Sequence, residues 1–209
     1  MEKNVKKQGL CTFCAVAAAL LITILLPYFW KVPPDNERAV SFSNLAGFFL
    51  IISPAVIVSL STKASLDNLG FKGKIAASNL FGAVVAAVTF FIVPHIVPGI
   101  SLDGAGIYSV IGCLTPAVAE EFLFRGFMQG NISPWLGKWK ALLITVVAFA
   151  FFHFPRHILS GNKDLWGALM SCVLILPAAL ILGLARLLFG NIYAGVWLHF
   201  TWNIGLLFV

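Results

Sequence analysis

The stretch LWGALMSCVLILPAALILGLARLLF, residues 165–189, decides the fold. It is long, apolar and carries one charged side chain, Arg186, and a helix needs about 20 apolar residues to cross the hydrocarbon core of a bilayer. Working outward, comparable stretches run approximately over Leu10–Trp30, Ala39–Leu60, Ile75–Pro94, Ile107–Met128, Trp139–Phe154 and Ile192–Val209. The chain as a whole agrees: of 209 residues, 60% are hydrophobic and 11% charged, with a mean hydropathy of +0.95, whereas a soluble domain is about one-quarter charged. The expected fold is all-α, a polytopic integral membrane bundle of about seven transmembrane helices, eight if one span is hidden. The whole chain reads as a single transmembrane domain. No separate soluble catalytic domain fits, so any chemistry belongs to side chains inside the bundle.

The formal charge of +6 fits basic residues gathering on cytoplasmic flanks and anionic lipid surfaces rather than a nucleic-acid partner. With the N-terminus inside, Lys3, Lys6, Lys7, Lys63, Lys72, Lys74, Arg125, Lys138, Lys140 and Arg186 fall on the inner side, and Lys31, Arg38, Arg156 and Lys163 on the outer. That asymmetry predicts an inward N-terminus and a cell-membrane location by the positive-inside rule. Arg186 reads as snorkelling to headgroups, the Ser61–Lys74 connection as cytoplasmic surface, and the Lys31–Arg38 connection with Pro33 and Pro34 as a short exposed turn. His95 reads as a water-contacting turn residue. The phenylalanines and tryptophans read as lipid-facing or interfacial surface, and Cys11, Cys14, Cys113 and Cys172 as small buried apolar side chains. Pro54, Pro94, Pro116 and Pro177 each free a backbone carbonyl within a span.

A charge near the bilayer centre costs at least about 2.5–3.5 kcal/mol, so it needs a partner or a function. Such residues are few: Glu120, Glu121 and Arg125 in AEEFLFRG, His153 in AFAFFHF, and His199 and Asn203 in WLHFTWN. Glu121 and Arg125 are four apart on one helix face, acid first, and form an intrahelical brace. Glu120 points about 100° away, which leaves it for water or for a polar group from another helix. His199 and Asn203 stack one turn apart. Together these groups form a pocket in which Glu120 polarises water, the histidines bind a metal or stabilise an oxyanion, and Asn203 orients a scissile carbonyl. The reaction class is hydrolysis of a peptide bond in or at the membrane.

In order, Glu120-Glu121-x-x-x-Arg125, Phe149-x-x-x-His153 and His199-x-x-x-Asn203 resemble the three motifs of the CPBP (CAAX protease and bacteriocin-processing, or ABI) intramembrane proteases, relatives of the type II CAAX prenyl endopeptidase. The resemblance covers roughly residues 105–209; residues 1–104 carry no matching motif. It implies a multi-spanning protease in which Glu120 activates water while His153, His199 and Asn203 complete the centre, with Glu121, Arg125 and Phe149 in support. Its substrates would be hydrophobic peptides, prenylated ones included. Zinc held by His153 and His199 and a metal-free glutamate mechanism both stand, since there is no H-E-x-x-H helix. A non-enzymatic immunity or peptide-binding protein using the same cavity is the alternative, and a transporter with a proton relay fits the motifs less well.

One spacing is awkward. At 1.5 Å per residue from the inner ends, Glu120 and His199 fall at about 12–14 Å depth but His153 at about 21 Å. We expect a misplaced inner helix boundary.

Overall fold

The computed structural model describes residues 2–29, 36–96, 106–159, 161 and 163–206; the turn expected at Pro33 and Pro34 lies outside them. The described residues fold as an all-α bundle of seven consecutive helical stretches. α1 is Glu2–Phe29 and α2 is Glu37–Thr62. α3 is Ile75–Ala87, continued through a widened π-helical stretch Val88–Ile92 into Val93–Ile96, with His95 exposed on its last helical turn rather than in a loop. α4 is Ile107–Glu120, a π-helical stretch Glu121–Met128 and then Gln129–Leu136. α5 is Lys138–Phe152, followed by a short helix Phe154–Leu159. α6 is Leu165–Phe189 and α7 is Tyr193–Gly205. Six of these stretches are long and apolar enough to cross a membrane, and the protein is a multi-pass membrane protein. α7, at 13 residues, is the short one.

α4 is the central post, touching α1, α2, α5, α6 and α7. Every residue of its π-helical stretch is buried, and such wide turns are rare and concentrate at functional sites. Two of the prolines expected to interrupt spans, Pro54 and Pro116, are accommodated by side-chain donors to the freed carbonyls. Pro54 cannot bond Leu50 O, and the Ser53 hydroxyl donates to it at 2.8 Å. Pro116 cannot bond Gly112 O, and Asn44 Nδ2 of α2 donates to it at 3.4 Å. Asn44 thereby ties α2 to α4 just above the paired glutamates.

Three surface readings change. Arg186 does not snorkel: its guanidinium donates to the carbonyls of Arg125 (3.2 Å), Asp67 (3.0 Å) and Asn68 (3.1 Å). The Ser61–Lys74 connection it holds is only partly surface. Leu69 and Gly70 are buried, Phe71 stacks on Phe122 with centroids 5.8 Å apart, and Ile192 N–H donates to Gly70 O at 3.0 Å. Side chains at Gly126 or Gly130 of α4 would collide with the carbonyls of Leu69 and Asn68, so both positions must stay bare for the loop to dock. With Arg125 also buried, two of the ten inner basic residues are structural, and the charge asymmetry falls to eight against four. The aromatic reading changes too, since Phe122, Phe124, Phe127, Phe149 and Phe152 are buried core. All four cysteines are free; Cys113 and Cys172 are buried, Cys11 is half-buried and Cys14 is exposed.

Candidate active site

α4 runs on to Leu136, eight residues past the boundary read at Met128. Gln129, Asn131 and Ser133 make that extension look like a loop in sequence. In the fold Gln129 and Asn131 make interhelical polar contacts, Gln129 Nε2 donating to Gly183 O at 3.2 Å and Gln8 Nε2 to Asn131 Oδ1 at 3.1 Å, while the Ser133 hydroxyl donates within the helix to Gln129 O. Counted from Leu136, Glu120 lies about 24 Å along α4, and His153 lies about 22 Å along α5 from Lys138. The conflict between Glu120 and His153 disappears, the misplaced boundary being that of α4.

α5 stops at Phe152 because Pro155 supplies no N–H two residues beyond the cap. The last carbonyls of a helix lack intrahelical partners, and His153 Nδ1 takes one of them, Phe149 O, at 2.9 Å. A carbonyl only accepts, so Nδ1 carries the proton and Nε2 faces the site. On α7, His199 Nδ1 donates to Glu121 Oε1 at 3.3 Å. Its Nε2 likewise faces the site, where Glu120 Oε2 lies 3.7 Å from His153 Nε2 and 3.7 Å from His199 Nε2. Glu120 Oε2 is itself buried and without a hydrogen-bond partner. A carboxylate oxygen and two ring nitrogens thus converge on one spot with no donor between them.

Glu121 does more than brace Arg125. Its Oε1 accepts from Arg125 at 2.9 Å, both side chains being at most 1% exposed, and the same oxygen holds His199. A methyl group at position 195 of α7 would overlap Glu121 Oε2, so Gly195, one turn before His199, is what lets the carboxylate slide alongside α7. The sequence offers no sign of this coupling beyond a glycine four residues before a histidine. Arg125 Nη2 also donates to Ala179 O at 3.1 Å, and its guanidinium carbon sits 4.0 Å from the centroid of the Phe149 ring. That ring presents edge-on geometry to His153 at 5.1 Å and to His199 at 5.8 Å. Phe149 therefore packs against the Arg125 guanidinium and both imidazoles at once.

Asn203 stands apart from this convergence: its Nδ2 donates to Cys113 O at 3.1 Å. A cleft of about 140 Å³ reaches Glu120 and His153 and is walled by Thr23 of α1, Asn44, Phe48 and Ile51 of α2, Phe152, and Arg156 at its rim. A water occupies about 30 Å³ of liquid, so a few waters fit. The helices without motifs thus supply much of the cleft wall.

Each imidazole has its Nδ1–H anchored on a carbonyl or carboxylate, the outer-sphere arrangement usual for metal-binding histidines. Even so, no group of three or more His, Cys, Asp or Glu side chains among the described residues is arranged to hold a metal ion.

Residues 104–205 match the family described as type II CAAX prenyl endopeptidase Rce1-like. No curated protein and no solved structure matches the chain. The match covers the motif-bearing part of the chain, and at family level that likeness supports an intramembrane endopeptidase.

Proposed function

We propose that the protein hydrolyses a peptide bond of a hydrophobic, prenylated peptide, with Glu120 as the base that activates water. The observation that carries this is the orphaned Glu120 Oε2, 3.7 Å from two Nε2 atoms: a water donating from that point satisfies the carboxylate and is held for attack. Hydrogen bonding orients the histidines: Nδ1 of His153 is held by Phe149 O and Nδ1 of His199 by Glu121 Oε1, so both Nε2 atoms flank the water beside Glu120, and His153 Nε2 accepts its second hydrogen bond.

In the forward step, Glu120 takes a proton from water and the hydroxyl oxygen bonds to the scissile carbon. The carbonyl π pair moves to oxygen as the tetrahedral intermediate forms. Glu120 then passes its proton to the leaving nitrogen as the C–N bond breaks, giving a carboxylic acid and an amine. Asn203 has a second amide proton beyond the one given to Cys113 O, and that proton orients the substrate carbonyl. A zinc ion between His153 and His199 is the second reading, favoured by the two anchored Nδ1–H groups; it would polarise the carbonyl or the water.

Placing Lys63, Lys72, Lys74, Lys138 and Lys140 on one face with the N-terminus puts that face in the cytoplasm of a cell membrane. The test is cleavage by purified protein of farnesylated and unmodified peptides. Wild type cuts and Glu120→Gln, equally folded, does not; a fully active Glu120→Gln variant refutes the assignment.

A further inference from the structure

A second hollow, of about 510 Å³, opens on the outer face of α6 and shares no lining residue with the cleft at Glu120. Ile181, Leu184, Ala185 and Leu188 repeat along it at helical spacing, flanked by Phe81 of α3 and Trp139 of α5. Ala185 is buried and forms the floor, while the larger side chains around it are exposed. From Ile181 to Phe189 the groove runs about 12 Å along the helix, most of one leaflet of a hydrocarbon core about 30 Å thick. Its volume falls within the range of about 300–1,000 Å³ found for small-molecule sites.

The Phe189 end of the groove is positive. Lys138 Nζ lies 5.6 Å from the centroid of the Trp139 ring. Lys74 N–H donates to Phe189 O at 2.8 Å, which brings the start of α3 to the same end, and Lys140 directly follows Trp139. All three lysines are exposed, and among the described residues no carboxylate pairs with them. Asn191 Nδ2 also donates to Phe189 O, at 3.3 Å, so the last carbonyl of α6, otherwise a point of partial negative charge, is covered.

An apolar trough about one leaflet long with cations at its end complements a lipid with acyl chains and an anionic headgroup. We propose that this groove is a binding site for one anionic phospholipid of the bilayer, its acyl chain lying on Ala185 beside Phe81 and Trp139 and its phosphate held by Lys74 and Lys138. A second copy of the chain fits less well, because a two-fold axis along the membrane normal would set the same lysines against each other. The opposite side of α6 clamps α4, since Ala179 O and Gly183 O accept from Arg125 and Gln129. A lipid that steadies α6 therefore stabilises the bundle, whatever reaction the site at Glu120 performs.

The test titrates phosphatidylglycerol or phosphatidylcholine into purified protein in detergent, with bound lipid counted by native mass spectrometry and stability read as Tm. Wild type should retain one phosphatidylglycerol per chain, and its Tm should rise with that lipid and not with phosphatidylcholine. A lysine beside an anionic headgroup is worth roughly five-fold in affinity, so the double variant Lys74→Gln, Lys138→Gln should bind roughly 25-fold more weakly. Ala185→Leu, which fills the floor, should lose the lipid with the lysines intact. Leu188→Ala, at an exposed position, should weaken binding too and covers the case in which Ala185→Leu does not fold. The double variant Lys6→Gln, Lys7→Gln lowers the charge of α1 at the same end of the bundle and should bind as wild type does. Wild type that retains both lipids equally overturns the proposal. So does equal weakening by the two lysine pairs, which would assign the preference to diffuse surface charge. A wild-type dimer that Ala185→Leu dissolves, with no lipid retained, overturns it in favour of a second copy.

Discussion

Replacing Glu121 by Gln strikes the joint on which both charge balance and histidine orientation rest. Glu121 Oε1 is shared by Arg125 at 2.9 Å and His199 at 3.3 Å, with Glu121 and Arg125 essentially sealed from solvent. Removing one member of a buried pair costs about 3–5 kcal/mol because the other charge stays buried. Glutamine keeps the volume and one acceptor oxygen for Arg125, which places this variant near the lower end. For a chain of this size each kcal/mol moves Tm by about 2–4 °C, so Tm should fall by roughly 6–12 °C. Activity should fall more than stability accounts for. The carboxamide can turn its NH2 toward His199 Nδ1, reversing the tautomer and putting a proton on the Nε2 that faces Glu120. A carboxylate-to-carboxamide change behind a catalytic histidine costs about 10⁴ in kcat in the serine-protease triad, and a loss of at least about 10² is expected here. Thermal unfolding followed by the intrinsic fluorescence of the six tryptophans, with cleavage measured on the same folded sample, separates the effects. Wild-type Tm together with wild-type turnover would refute the shared-carboxylate reasoning.

Further outcomes follow from individual contacts. Gly195→Ala overlaps Glu121 Oε2 and should lower stability by about 1–3 kcal/mol through overpacking, seen as a lower Tm with loss of activity. Phe149→Leu keeps the packing volume roughly but removes the ring 4.0 Å from Arg125, and should cost about 2 kcal/mol as a desolvated cation–π contact is lost, read by thermal unfolding. Arg186→Ala frees the carbonyls of Asp67 and Asn68, and hydrogen exchange at Leu69, Gly70 and Phe71 should quicken while more distant helices keep their protection. Exhaustive chelation with metal analysis decides between the two site chemistries: unchanged turnover in metal-free protein supports the glutamate scheme, and loss restored by zinc supports the metal.

The sequence exposes the convergence because lipid makes charge conspicuous. In a chain this apolar, two glutamates, an arginine and two histidines inside spans have few ways to be satisfied, and their i, i+4 spacings put them on definite faces. What it conceals are polar residues with structural employment. Gln129, Asn131 and Ser133 look like the end of a span because a hydropathy reading counts polarity and cannot see a carbonyl waiting on α6. Arg186 looks like a snorkelling residue for the same reason, while its true partners are the backbone of a loop more than one hundred residues earlier in the chain. The contact between Glu121 and His199 spans 78 positions, and no local pattern announces it.

The central claim is that Glu120, on α4, and His153, on α5, act on one water. A double-mutant cycle on kcat/KM with Glu120→Gln, His153→Ala and the pair measures this directly. Groups that act as a unit are strongly non-additive, so each single variant should lose nearly all activity and the double variant should be no worse than either. Losses that multiply, or a single variant that retains wild-type turnover, would contradict the account.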